Sequence, residues 1–175
     1  MNYLFHTVPK NLKGDILYPL NVLKNSDTDL YKEKVKKYLG REKILERKIP
    51  TLNCLWNDVL HLTAVHPETL VLELTKAGRP HQPMSFYQIN PAKLNPQNLT
   101  IYLYKSSEKR IQLPDEEFVD FNLEELPYYS QIPDFTKNYY RERYESGDRP
   151  LLYHGVPHVL YKGEINTANL EIITV

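Results

Sequence analysis

Cysteine is nearly missing from this chain: Cys54 is the one residue of its type among 175. An intramolecular disulfide is therefore excluded, and the composition suits a reducing compartment. With no base evident beside it, Cys54 reads as a small buried hydrophobe and not as a nucleophile. Long apolar runs are also lacking, and none approaches the ~20 residues of a membrane span. The opening MNYLFHTVPKN has neither a charged n-region nor a continuous apolar h-region. No signal peptide is expected, and the cytoplasm is the expected compartment. Neither sign of charge is in excess, since Lys plus Arg and Asp plus Glu both number 22. That balance argues against a general nucleic-acid binder and against an anionic-membrane binder.

Several chemical signatures are absent as well. There is no Gly-x-x-x-x-Gly-Lys and no Gly-x-Gly-x-x-Gly, so neither a P-loop nor a dinucleotide fingerprint is supported. No Gly-x-Ser-x-Gly elbow points to a serine hydrolase, and no Asp-x-Asp-x-Asp-Gly loop points to calcium. His154 and His158 lie four apart, but in a stretch that reads as strand. On a strand that spacing is too long for easy chelation unless the chain bulges at Gly155. No metal is expected.

What is present is organised around Leu52 to Gly78, LNCLWNDVLHLTAVHPETLVLELTKAG. From Val59, side chains alternate, with Val59, His61 and Thr63 on one face and Leu60, Leu62 and Ala64 on the other. A histidine thus lies inside an otherwise apolar strand. Pro67 suits a first helical position, where its missing N–H costs nothing, and Glu68 complements the helix dipole. Leu70, Val71, Leu74 and Ala77 form one stripe, and Gly78 is placed to end the helix.

Upstream, Tyr3 to Val8 reads as a strand, and Pro19 argues against a regular helix in ILYPLNVL. Ser26 or Asp27 caps a helix carrying Tyr31, Val35, Tyr38 and Leu39 on one stripe, its lysines facing solvent. Arg41 and Arg47 follow in REKILERK. Downstream, Ser85 to Ile89 and Leu99 to Lys105 read as strands, the latter turning back through RIQL to form a hairpin. The acidic run Asp115 to Glu125 reads as a solvated face or loop. Tyrosine is abundant, 14 against one tryptophan, and many fall in the second half. The proline-broken, tyrosine-rich segment 127–150, with one short helix near Lys137 to Glu145, reads as a covering segment or lid. Leu151 to Tyr161 and NLEIITV return to strand. The class is α+β in one domain.

Three stretches together resemble the ADP-ribosyltransferase fold. They are the first strand with His6-Thr7, the segment DVLHLTAVHPETL, and VPHVLYKGEI at residues 156–165. FYQINPAKL, residues 86–94, is similar to the intervening strand and turn. The set looks closest to a small bacterial family of unknown function, and more remotely like DarT-type transferases and RNA 2′-phosphotransferases. The resemblance implies split β-sheets around a cleft and NAD as cofactor. It implies His6 and Thr7 on the ribose, Arg41 or Arg47 on the diphosphate, and Tyr18 or a tyrosine of segment 127–150 on a base. His61 and His158 would line the cleft floor. His158 stands where the fold's transferases carry a glutamate, and Glu164 lies six residues later. The catalytic set it implies is His6, His158 and Glu164. The expected function is nucleotide binding with NAD-directed transfer, ADP-ribosyl or phosphate-directed. The alternative is a non-catalytic domain whose segment 127–150 binds a protein or small ligand through Tyr139, Tyr140 and Arg143.

Overall fold

The computed structural model describes residues 2–80, 82–105 and 110–175. His81 and the first part of the expected turn after residue 105 lie outside them. The chain runs through β1 (Leu4–Thr7), β2 (Ile16–Leu17), helices α1 (Leu20–Ser26) and α2 (Thr28–Val35), then β3 (Lys48–Ile49), β4 (Cys54–Leu55) and β5 (Leu60–Leu62). Helix α3 (Pro67–Lys76) leads to β6 (Ser85–Ile89), β7 (Leu99–Tyr102) and β8 (Phe118–Asp120). Helix α4 (Asp134–Glu145) precedes β9 (His158–Tyr161), β10 (Ile165–Asn166) and β11 (Glu171–Thr174). The fold is α+β.

Two antiparallel sheets carry the architecture. One has the order β1-β6-β11 and the other β5-β9-β7-β8. Among the described residues they meet at one bridge, where Phe5 and Thr63 exchange both backbone hydrogen bonds at 2.8 and 3.1 Å. The sheets are therefore tied at one point along β1 and are otherwise free to diverge. Alternation then decides what each strand contributes. Leu60 and Leu62 of β5 join Leu4, Tyr87, Ile89, Ile101 and Val159 in one core, while Val59 packs with Ile49, Trp56, Tyr102 and Leu160 in another. His61 is left on the second face.

Helix α3 forms as its sequence requires. His66 is its N-cap and accepts from the Glu68 N–H, Pro67 opens it, and Leu70 and Leu74 are buried against Phe86, Tyr140 and Val156. Helix α2 is capped by Asp27, whose carboxylate accepts from the Leu30 N–H at 3.0 Å.

Three expectations are corrected. Pro19 does not prevent a helix; it stands immediately before α1, where no N–H is needed. The partner of β7 is β8, not RIQL, so part of the acidic run is a strand, and Glu117 is buried against Arg110 at 2.9 Å. Strand β7 also stops at Tyr102, because Tyr104 takes a left-handed backbone with φ 51°. Segment 127–150, read as a covering segment or lid, is built around α4. Its helix packs on α3, and Tyr140 is fully buried with its hydroxyl donating to the Leu152 carbonyl. Tyr139 stacks on His154 at 3.9 Å, and Arg143 pairs with Asp148 at 3.1 Å. Tyr140 is therefore closed to a partner.

Candidate functional site

A cavity of about 670 Å³ opens beside the junction of the two sheets, a size that takes a nucleotide-sized ligand. Its floor is built from His6 and Thr7 of β1, His61 of β5, His158 of β9, and Trp56 and Tyr153. Its wall comes from α1, α2 and the tight turn Lys36–Tyr38 that follows, and from the loop 9–19 that includes Tyr18. The three strand histidines, far apart in sequence, thus share one chamber. The His61 and His158 rings lie perpendicular at 5.9 Å, and Trp56 lies 4.6 Å from His61.

Each of these histidines has its tautomer set by a backbone carbonyl, which can only accept. His6 Nδ1–H donates to Thr7 O at 2.7 Å, His61 Nε2–H to Trp56 O at 3.0 Å, and His158 Nδ1–H to Val156 O at 2.6 Å. The second nitrogen of each ring is left as an acceptor. Burial pushes the pKa of His6 and of His158 down to about 4. For His6, Lys34 and Lys37 push the same way, against the Thr7 carbonyl. Burial also holds His61 well below its ordinary value, helped by His158 and Lys37. All three rings keep some surface on the cavity, so water there moderates the depression without reversing it. At neutral pH the floor is three uncharged imidazoles.

Two further polar groups stand among them. Asn57, 2 % exposed, accepts from the Tyr38 hydroxyl at 2.8 Å, but its Nδ2 has no hydrogen-bond partner. The Tyr153 hydroxyl, shut from solvent and set against Thr7, makes no hydrogen bond of good geometry, and burial raises its pKa. The cavity's charged residues are Lys13, Asp27, Lys34 and Lys37, of which Lys13 and Asp27 pair at 3.2 Å.

Other residues singled out in the sequence fall elsewhere. Tyr18 lines the cavity; Arg41, Arg47 and Glu164 do not. Arg41 is exposed and donates to the Lys37 carbonyl at 2.8 Å. Arg47 lies 5.0 Å over the Trp56 ring and donates to the carbonyls of Arg110 and Ile111. Those contacts are structural. Arg47→Ala is expected to cost about 1–3 kcal/mol in urea unfolding, through a lost cation–π contact and orphaned carbonyls. Glu164 is exposed between Gly163 and β10. Among the described residues, no group of three or more His, Cys, Asp or Glu side chains is placed to hold a metal ion. The Cys54 thiol is pushed up to about 11 by burial, which leaves it a poor nucleophile at neutral pH.

The sequence pattern does not single out Trp56, Asn57, Tyr153, Lys34 or Lys37. A signal exists for the first, the chain's one tryptophan, five residues before His61. An α-helical period carried past Val35 would misplace Lys37, because the chain abandons that period at Lys36, where it tightens into a 3₁₀ turn. Set against protein-family models, curated proteins and solved structures, the chain matches none of them.

Proposed function

We propose that this chain is a nucleotide-binding protein of the NAD-directed, transferase-like kind, built on the ADP-ribosyltransferase arrangement of two sheets around a cleft. One observation carries the reading: three neutral imidazoles converge on one cavity, each with one nitrogen committed to a carbonyl and the other left as an acceptor. Acceptors in a partly dry chamber select a ligand rich in hydrogen-bond donors. The hydroxyls of a ribose and the NH₂ of a nicotinamide carboxamide are such donors. His6, Thr7, His61 and His158 bind the ribose and nicotinamide, and Tyr18 offers a ring for the base.

The chemistry is constrained by what lines the chamber. Its one carboxylate among the described residues, Asp27, is already paired with Lys13. A neutral imidazole accepts a proton from an attacking hydroxyl, but it places no negative charge beside a developing oxocarbenium centre. This favours a second reading, binding of the nucleotide without transfer. Calorimetric titration with NAD, ADP-ribose and ATP tests the site, and nicotinamide release separates the readings. A dissociation constant below about 1 mM is expected for NAD. His6→Ala is expected to weaken it roughly tenfold, with the melting temperature moving by no more than about 4 °C. No heat from any of the three ligands would remove both readings.

A further inference from the structure

We propose that Lys34 and Lys37 form a phosphate-holding clamp on the wall of this cavity, so that its ligand is a nucleotide and not a nucleoside. The inference rests on the nucleotide reading of the histidine floor, and it replaces the arginines that the resemblance suggested.

The chain as a whole is neutral, yet its charges are unevenly matched here. Both lysines line the cavity, one from α2 and the other from the 3₁₀ turn. Neither has a carboxylate within ion-pair distance among the described residues, although Lys13, on the same cavity, has Asp27. Lys37 is instead held 5.0 Å from the centre of the Tyr38 ring, a contact that fixes its direction without neutralising it. Arg41, 5.8 Å from the same ring, adds a third cation to the cluster. Burial, Lys34 and Arg41 all lower the Lys37 pKa, so the ligand-free protein bears a standing repulsion. Lys34 and Lys37 are also near enough to the floor to act on His6, and Lys37 on His61.

A cation pair without counter-charge, beside a row of neutral acceptors, matches a molecule with hydroxyls at one end and phosphate oxygens at the other. A diphosphate on the wall relieves the lysine repulsion while the attached ribose meets the histidines. A nucleoside would satisfy the floor alone.

The test uses the full-length protein, Lys34→Gln/Lys37→Gln, and Lys34→Arg/Lys37→Arg, which keeps the charge. NAD, nicotinamide riboside and inorganic pyrophosphate are titrated separately. For the wild type, NAD is expected to bind at least tenfold tighter than nicotinamide riboside, with an affinity that falls as salt rises. The Gln pair is expected to lose that tenfold for NAD, leave the riboside unaffected and abolish thermal protection by pyrophosphate. The Arg pair is expected to keep most of all three. Equal NAD affinity in the wild type and the Gln pair would overturn the clamp and leave the histidine site standing. Pyrophosphate protection without NAD binding would keep the lysines and remove the nucleotide.

Discussion

Acidification from pH 7 to pH 4 is expected to cost this protein several kcal/mol of stability, with most of the loss between pH 6.5 and 4. The cause is the three cavity histidines, which are neutral in the fold. His6 and His158 have folded pKa values of about 4 against an ordinary 6.5, and His61 is displaced in the same direction. Above pH 6.5 neither folded nor unfolded rings are protonated, and nothing is lost. As pH falls through 6.5 the unfolded chain takes up protons that the folded chain refuses, so stability declines. Below about 4 the folded His6 and His158 rings protonate too and their share of the decline ends. Each ring contributes at most ~1.4 kcal/mol per pH unit. The limit for His6 and for His158 is about 3 kcal/mol each over the window, reduced by whatever water the cavity admits. The groups facing them mostly reinforce the effect: Lys34 and Lys37 on His6, His158 and Lys37 on His61, opposed by the carbonyls of Thr7, Trp56 and Val156. Urea midpoints at pH 7.5, 6.5, 5.5 and 4.5 measure the slope. His158→Gln should flatten it by one ring's share, and a midpoint constant from 7.5 to 5.5 would show that these rings are not enclosed.

What is legible in the sequence follows from how locally each feature is encoded. Alternation in β1, β5 and β6 is a two-residue pattern, and the helix at Pro67 carries its own cap and stop, so both can be read directly. The meeting of His6, His61 and His158 is legible only as three strand histidines that share no spacing. Their convergence depends on β9 pairing with β5, and on the bridge from Phe5 of β1 to Thr63, contacts between residues some 60 to 100 positions apart. The β7 partner is hidden for a related reason. RIQL offers a nearby apolar run, but the left-handed backbone at Tyr104 ends the strand and delays pairing until Phe118. Tyrosine abundance in segment 127–150 points to a surface. In the fold Tyr128 is exposed, but Tyr139, Tyr140 and Tyr144 join a core with α3, because a tyrosine buries a large apolar body once its hydroxyl finds a carbonyl, as Tyr140 does with Leu152. Arg47 resembles an anion ligand by its charge, and is a brace between Trp56 and the chain at Arg110 and Ile111.

Gly155→Ala is expected to be the most damaging single methyl in the chain, and to disturb the cavity as well as the fold. Gly155 has φ 70°, the left-handed region, where a side chain costs about 1–2 kcal/mol. A Cβ there would also stand 2.4 Å from both the Phe135 ring and the Thr136 hydroxyl at the start of α4. Thr136 is fully buried and cannot swing aside, so either α4 or the segment 153–158 must move. Overpacking of this kind adds roughly 1–3 kcal/mol. The total of about 2–5 kcal/mol corresponds to a fall in melting temperature of roughly 5–15 °C. That segment carries Tyr153 and His158 to the cavity, and Gly155 divides His158 from His154, which stacks on Tyr139. NAD affinity is therefore expected to drop with stability, although Gly155 does not line the cavity. Gly147→Ala supplies the control, since Gly147 has φ 75° and an added methyl there would meet no atom within 4 Å. It should show the backbone cost alone and leave ligand binding intact. The difference in melting temperature between the two variants isolates the steric contact, and equal losses would mean that α4 yields freely to the turn that positions His158.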